Sequence, residues 1–380
     1  MKFFFLIIIF LILNQIIISY FSSNLMEKIF SSPEYKNENF AISPIAIYRT
    51  LSQLANGAKG KTLSEILTIL ELDDLIKINN KNLHIYNEFL KLRGFKCINS
   101  LQCKYPINKN FNIINKYHGT AEKIKSIEEI NEKISNQTKN KITDLLRNDN
   151  IKLSNLSLLA LNAVTLKLEL LYKFNKNNNK LIKFWQKEGV KIVQVMMDQR
   201  HYDYYENSLF KLIKIEYMEH LNGYFILPNN NEVSLIDCYN TFFKNKNDIR
   251  DLNFKLSLKK LQLQIPKFKI DFEIKLKSIL ESMGLNKIFK ENSAELENIS
   301  SGFNMNLNDI IQRIVIEFDE SGLDDFDENK KKVNKYINDE ECCDCMQIIF
   351  NRPFMYVVTL NDLFDNHDVL VVGKIEDVEV

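Results

Sequence analysis

The chain carries 50 basic and 49 acidic residues, so its formal net charge of +1 gives no electrostatic reason to expect nucleic acid or an anionic membrane as a partner. Its 380 residues are 45% hydrophobic, which is enough to bury a sizeable core. Length alone suggests two or three domains.

The first residues have the order of a secretory signal peptide. Lys2 supplies a positive end, Phe3–Leu13 is an unbroken apolar run, and Ser19 offers a small residue for cleavage. That run is too short for a bilayer, which needs about twenty residues, although counting Phe3–Ile18 as one run leaves an uncleaved anchor as the alternative. No other stretch is long and apolar enough to span. We expect residues 1–19 to be removed and the protein to be secreted, extracellular and without stable membrane association.

The mature chain opens with a helix and then a short strand. Ser22–Ser32 predicts a helix whose apolar residues share one face. Phe40–Ile42 predicts a short buried strand. Ser43 is then a good N-cap before Pro44, which favours the first helical position, and this helix is expected to end at Asn56-Gly57.

The next helix is predicted to run to Leu70 from a capping box. Thr62 and Glu65 have the spacing at which each side chain caps the backbone of the other. Further helix and strand patterns follow in mixed order rather than in strict alternation. That order favours an α+β fold with mostly antiparallel sheets.

A long polar stretch near the carboxy terminus separates two apolar runs. Ile314, Ile316 and Phe318 are large and apolar, Glu317 and Asp319 are interleaved with them, and this alternation predicts a strand. Roughly thirty residues rich in Asp, Glu, Lys and Asn follow, before the apolar run Ile348–Phe350. Compact domains rarely carry structureless connections longer than about 12–15 residues unless these are functional or disordered. The stretch is therefore either a functional loop or a solvated linker.

Three Asn-x-Ser/Thr glycosylation motifs and an even number of cysteines fit an extracellular compartment. The candidate glycosylation sites are Asn136, Asn155 and Asn298. An even count of six cysteines permits disulfides, and Cys97 with Cys103 is a candidate local pair. The segment Cys342-Cys343-Asp344-Cys345 lacks a second His/Cys cluster, so vicinal or intermolecular disulfides are favoured there over a metal site.

The sequence carries no signature of a catalyst. It has no Gly-rich phosphate loop, no HExxH and no GxSxG, and its five histidines are scattered. Nothing assembles a nucleophile, a base and an oxyanion site. We therefore predict no enzyme activity, no cofactor and no metal.

Motifs along the whole mature chain resemble those of one known family. Asn39–Pro44 with Gly57-Ala58-Lys59-Gly60 resembles the amino-terminal serpin signature, and Asn162-Ala163-Val164 with Lys167 is similar to the central strand of the main sheet. Four later segments also match, namely Ile265–Ile270, Val315–Gly322, Phe350–Phe354 and Val369–Ile375.

The resemblance implies a fold, a mechanism and a partner. The fold would have about nine helices around three mostly antiparallel sheets, as one domain over residues 20–380. Residues 320–349 would form an exposed reactive-centre loop that serves as bait for an extracellular serine or cysteine protease. After cleavage, the hinge half of the loop inserts as a strand into the main sheet and traps the acylated protease. The resemblance thus implies a monomeric serine protease inhibitor.

The hinge departs from the family pattern. Glu320, Ser321 and Gly322 match its start, but the residues where serpins keep small side chains are Leu323, Asp324, Asp325, Phe326 and Asp327. Because strand side chains alternate, insertion would bury either Asp325 and Asp327 or, shifted by one residue, Asp324 and Glu328. Each unpaired buried carboxylate costs several kcal/mol. Slow insertion lets the protease escape, so a protease substrate or a non-inhibitory extracellular binder of a ligand or protein is the alternative function.

The scissile bond has two candidate positions. Measured from the hinge it falls at Tyr336-Ile337, whereas measured back from Pro353 it falls near Cys342-Cys343. Tyr336 would suit a chymotrypsin-like protease. Lys332 or Lys335 would suit a trypsin-like one.

Overall fold

The computed structural model describes residues 21–114, 118–147, 155–243, 253, 255–320, 322, 345–361 and 367–378. The predicted signal peptide lies outside these ranges. Eight α-helices occur within them, and the first, α1, covers residues 21–30. The others are α2 Pro44–Gly57, α3 Gly60–Ile69, α4 Leu75–Phe89, α5 Lys109–Ile114, α6 Ile127–Gln137, α7 Leu235–Phe243 and α8 Lys277–Ser282.

Fourteen strands lie in the same described ranges. The first seven are β1 Phe40–Ile42, β2 Phe95–Cys103, β3 Thr120–Lys123, β4 Leu158–Lys167, β5 Lys180–Gln186, β6 Gly189–Glu206 and β7 Phe210–Glu216. The second seven are β8 Leu221–Pro228, β9 Ser257–Pro266, β10 Phe268–Lys275, β11 Leu307–Phe318, β12 Met346–Ile349, β13 Phe354–Asn361 and β14 His367–Ile375.

The described strands form two hydrogen-bonded sheets. One has nine strands in the order β1-β14-β13-β8-β7-β6-β9-β12, with β5 paired to β6, and the other has the order β10-β11-β4-β2-β3. Three sheets were predicted; the larger sheet is continuous because the 18-residue strand β6 pairs with β5, β7 and β9 at different points along its length. The α+β class with mostly antiparallel pairing is confirmed.

Counting only described residues, the chain forms two compact units. The first unit holds residues 21–29, 43–165 and 272–315. The second unit holds residues 30–42, 166–271 and 316–378. No helix within the described ranges is long and apolar enough to cross a membrane.

The predicted start and end of α2 are correct in position. Pro44 occupies the first turn, and Gly57 ends the helix where a Cβ would lie 2.2 Å from Cγ1 of Ile299. Ser43 is the N-cap residue, but its side chain makes no capping hydrogen bond.

The predicted capping box is wrong. Helix α3 begins at Gly60, before Thr62. The carboxylate of Glu65 instead accepts hydrogen bonds from the backbone N–H groups of Asn286 and Lys287, at 2.8 and 2.7 Å. Thr62 exchanges hydrogen bonds with Glu295. Both side chains therefore form hydrogen bonds with residues distant in the sequence instead of capping α3.

The predicted Cys97–Cys103 disulfide is also wrong, because both thiols are free. The two residues lie six positions apart on β2, which at about 3.3 Å per residue separates their Cα atoms by roughly 20 Å. A disulfide requires less than about 7 Å. Cys103 is instead buried, and its thiol lies 3.8 Å from the sulfur of Met305.

Two of the candidate glycosylation sites are exposed. Asn136 lies in the last turn of α6, and Asn155 precedes β4. Asn298 is partly buried. Glycosylation at these three residues stays a prediction.

Candidate functional site

Where β4 lies beside β11, helix α6 covers one face of the five-stranded sheet. Three isoleucines of α6, at 127, 130 and 134, pack in one buried cluster with Leu159 and Leu161 of β4 and with Val315 of β11. Val315 lies on the side of β11 that faces α6. The helix covers that side, so β11 is apolar on both faces over this part of its length.

Neutral hydrogen bonds hold the other face of these strands in the first unit. The amide nitrogen of Asn162, in the middle of β4, donates to Oγ1 of Thr50 at 2.6 Å and to Oδ1 of Asn99 at 3.1 Å. Gln312 of β11 accepts from the N–H of Ser43 at 2.8 Å and donates to its carbonyl at 3.2 Å. All five residues are buried. These side chains tie α2 and β2 to the two strands.

Ion pairs replace these neutral bonds in the second unit. The ammonium group of Lys167, at the end of β4, lies 3.5 Å from carboxylate oxygens of both Glu317 and Asp319. Lys269 adds a further pair to Glu317 at 3.6 Å. Because β4 and β11 are hydrogen-bonded neighbours, these charges bridge the two strands.

Glu320, one residue further on, is anchored more tightly. It is only 4% exposed, and its Oε1 lies 2.7 Å from Nζ of Lys267 and accepts from the amide of Asn179 at 2.9 Å. Burial alone would raise the pKa of Glu320, but the hydrogen bonds, chiefly from Lys267, outweigh burial and hold the pKa below 4.5. We call Lys167, Lys267, Glu317, Asp319 and Glu320 the seam cluster.

Gly322 follows the seam cluster in a left-handed backbone conformation. Its φ is +68°, a left-handed conformation that glycine adopts without strain, and its N–H donates to Oδ1 of Asp319 at 3.1 Å. A Cβ at this position would lie 3.2 Å from Cα of Glu169. Both the backbone conformation and the close approach of the segment after β4 therefore favour glycine at this position.

No strand lies between β4 and β11 in the described part of the chain. The two are direct neighbours in a five-stranded sheet. A sixth strand could enter only by separating them, which would break the pairing of Lys167 with Glu317 and Asp319.

A protein-family model described as Serpin (serine protease inhibitor) matches residues 18–378. The chain belongs to the serpin family. Serpins inhibit proteases and are not catalysts, so the prediction that this chain is not an enzyme is confirmed.

Curated relatives and solved structures agree with that assignment. The human plasma serine protease inhibitor is 25% identical over 362 residues, covering 86% of this chain and 83% of the relative. The leukocyte elastase inhibitor of Xenopus tropicalis is 27% identical over 342 residues, covering 80% and 86%. A crystal structure of maspin, 22% identical, matches with a TM-score of 0.81 over 96% of this serpin and 98% of that chain.

The structure describes only part of the predicted reactive-centre loop. Glu320 and Gly322 lie at the seam cluster, as described above. The remaining hinge and scissile-bond candidates lie outside the described residues, namely Ser321, Leu323, Asp324, Asp325, Phe326, Asp327, Tyr336, Ile337, Cys342 and Cys343.

The predicted end of the loop, at residue 349, needs correction. Met346–Ile349 form β12, which pairs in parallel with β9. Its backbone is hydrogen-bonded in the sheet, and Ile348 is 1% exposed. Residues 346–349 therefore belong to the sheet and not to an exposed loop.

Sequence reasoning missed the polar residues that hold the sheet. Asn162 and Gln312 each interrupt an apolar run, and such an isolated amide in a buried strand must find hydrogen-bond partners. That requirement was the available signal. The partners of Asn162 lie 112 and 63 positions away in the chain, so the sequence pattern alone did not identify them.

Proposed function

We propose that this serpin is a secreted, monomeric domain over residues 20–380 that offers its loop to an extracellular serine or cysteine protease. The family and its inhibitor-named relatives support protease inhibition in general. The signal-like sequence at residues 1–19 supports secretion. The details of the hinge decide how efficient the inhibition is.

One observation carries the proposal, namely the chemistry of the two sides of the sheet at the point where a strand would enter. One side presents the apolar side chains of Leu166, Ile316 and Phe318, all at most 4% exposed. The other side presents Lys167 and Glu317, which are partly exposed. An inserted strand must alternate between these two environments.

The hinge sequence fits the apolar side poorly. In one phase Asp325 and Asp327 would face it, and in the other phase Asp324 and Glu328 would do so. Each unpaired carboxylate buried there costs several kcal/mol even after relaxation. Insertion is therefore slowed, and most acylated protease is released before it can be trapped. The protein therefore acts mainly as a protease substrate, and only a small fraction of the cleavage events ends in a trapped protease.

The same acidic hinge favours a second candidate function. A serpin whose loop rarely inserts keeps its native surface and can serve as an extracellular binder of a ligand or protein. The two functions differ in whether any covalent complex forms.

The test is incubation with trypsin-like, chymotrypsin-like and subtilisin-like proteases, followed by denaturing gels. We expect mostly cleaved serpin and a small fraction of SDS-resistant complex, so that several serpin molecules are consumed per protease inhibited. Sequencing the new amino terminus would distinguish Tyr336-Ile337 from Cys342-Cys343. Stoichiometric trapping would contradict the slow-insertion proposal. Cleavage with no complex at all would favour the binder, and resistance of the loop to all three proteases would refute the bait function.

A further inference from the structure

A cavity of about 770 Å³ opens within the second unit, away from the seam cluster. It lies between the segment after α1, the turn joining β5 to β6, the segment leading into α7, and the residues flanking β13 and β14. Small-molecule sites typically enclose about 300–1,000 Å³. Every residue that lines the cavity belongs to the described part of the chain.

Two aromatic side chains give the cavity an apolar wall. Phe30 is fixed in place, because its ring stacks on Tyr239 at 4.7 Å and meets Phe40 edge-on at 4.9 Å. Trp185 is 48% exposed, which is unusual for so large an apolar group. Leu235 and Ile236 extend the same apolar surface.

The charged residues of the cavity are mostly cationic. Four cations, Lys36, Lys187, Arg352 and Lys374, line it together with a single carboxylate, Glu376. Lys374 is already engaged, because its ammonium group contacts Glu376 at 3.1 Å and the carbonyls of residues 35 and 36 at 2.7 and 2.8 Å.

The other three cations can still bind an anion. Lys36 and Lys187 are exposed and have no ion pair within the described ranges. Arg352 donates four N–H groups, two to Pro228 and one each to Asn229 and Asn351, which leaves one N–H of Nη1 over in the described part of the chain. The cavity therefore offers uncompensated positive charge to an anion.

One acceptor in the wall also lacks a partner. The Oε1 atom of Gln186 is shielded from solvent and has no hydrogen bond to any described residue. An unsatisfied buried acceptor costs about 1–3 kcal/mol. Because this oxygen has no accessible surface, a donor in the cavity does not reach it, and Gln186 takes no part in anion binding.

We propose that this cavity is a binding site for a small amphipathic organic acid. Its apolar body packs between Phe30 and Trp185, and its anionic group lies near Lys36, Lys187 and Arg352. The site shares no residue with the seam cluster, so it is independent of how the loop reacts with proteases.

Trp185 makes the proposal directly measurable, because it is the only tryptophan in the chain. The full secreted protein is titrated with 1-anilinonaphthalene-8-sulfonate, an aromatic anion, while Trp185 is excited and the probe emission is followed. We expect saturable one-to-one binding with energy transfer from Trp185. Lys36→Gln and Lys187→Gln should each weaken binding about threefold, and about tenfold together, as expected for partly exposed charge pairs.

The matched control is Lys290→Gln, which removes an exposed lysine of the first unit that does not line the cavity. It should bind the probe like the parent protein, and Lys36→Arg with Lys187→Arg should restore binding. Thermal unfolding of each variant establishes that it is folded. Binding without energy transfer, or equal weakening by the control, would overturn the proposal. So would a Trp185 emission shift that occurs only with phosphatidylserine vesicles, since that would indicate a lipid surface.

Discussion

The two units stabilise strands β4 and β11 with different polar chemistry. In the first unit the contacts centred on Asn162 and Gln312 are neutral amides and hydroxyls, and one ion pair, Arg313 of β11 with Asp144 at 2.6 Å, lies beside them. In the second unit they are the ion pairs of the seam cluster. Neutral buried hydrogen bonds change little with ionic strength, whereas partly exposed ion pairs weaken with salt and are lost when their carboxylates are protonated. The hydrogen bonds of Asn162 and Gln312 should thus be insensitive to solution conditions, whereas the seam cluster should respond to them.

The largest effect should come from changing the hinge that must pass between the two strands. Replacing Leu323–Asn329 by Thr, Ala and other small residues removes the acidic side chains that insertion would bury. Cleavage of this variant should then raise its free energy of unfolding by on the order of 5 kcal/mol or more beyond the rise for the cleaved parent. The measurement is thermal unfolding before and after loop cleavage, with denaturing gels for trapped protease.

The matched control replaces Asn338–Glu341 by the same kinds of small residues, which leaves the hinge acids and both candidate scissile bonds in place. That variant should behave like the parent on cleavage. If the unmodified protein already gains stability strongly and traps its protease at neutral pH, the hinge acids do not obstruct insertion.

A smaller effect should come from His118, a buried titratable group of the first unit. It is 1% exposed, and its Nε2 lies 2.9 Å from Oδ1 of Asn79. Burial, with a contribution from the nearby positive charge of Arg49, lowers the pKa of His118 from 6.5 to about 4. Between pH 6.5 and 4, His118 therefore binds a proton in the unfolded chain but stays neutral in the folded chain.

Stability should fall as the pH falls through that window, by roughly 3 kcal/mol in total. In His118→Gln this part of the pH dependence should disappear, because no proton is taken up by either state at that position. Denaturant unfolding at pH 7 and pH 4 measures it. The variant His220→Gln, which removes an exposed histidine of the second unit, should keep the parental slope. Equal slopes in all three proteins would show that His118 does not control the acid response.

The smallest effect should come from Glu320→Gln in the seam cluster. This change keeps the shape of the side chain but removes the charge that pairs with Lys267, and it should cost about 1.5 kcal/mol at pH 7. Because the pKa of Glu320 is lowered in the folded protein, its contribution is present above pH 4.5 and is lost as the pH falls through the folded pKa.

Variant and parent should therefore converge in stability near pH 3. The comparison is denaturant unfolding of both proteins at pH 7 and pH 3, with the exposed Glu291→Gln as a control that should match the parent throughout. A difference that persists undiminished at pH 3 would mean that packing, rather than charge, explains the role of Glu320.

Local sequence patterns predicted much of this fold because their physics is local. Pro44 and Gly57 marked the start and end of α2, whereas β4 was identified through the resemblance of Asn162-Ala163-Val164 and Lys167 to the central strand of serpins. Glu320 and Gly322 were placed at the start of the hinge by resemblance. Their ion pair and their left-handed turn then followed from the structure.

The predictions failed where distant parts of the chain decide the outcome. Glu65 has the spacing of a capping box, yet its carboxylate binds backbone N–H groups more than two hundred positions away. Cys97 and Cys103 are close in sequence but lie on one extended strand, which holds them apart. The Lys167 pairs depend on β4 and β11 being neighbours in the sheet, a relation that no local pattern encodes.

The free thiols give each unit a chemical reporter of its own opening. Cys103 of the first unit and Cys238 of the second are both fully buried. Burial raises the pKa of the Cys103 thiol, and it raises that of Cys238 to about 12. Neither thiol is a nucleophile at neutral pH while its surroundings stay closed, because only the thiolate reacts. The rate at which an alkylating reagent modifies Cys103 thus measures how often the first unit opens locally. The rate for Cys238 measures the same quantity in the second unit of the same molecule.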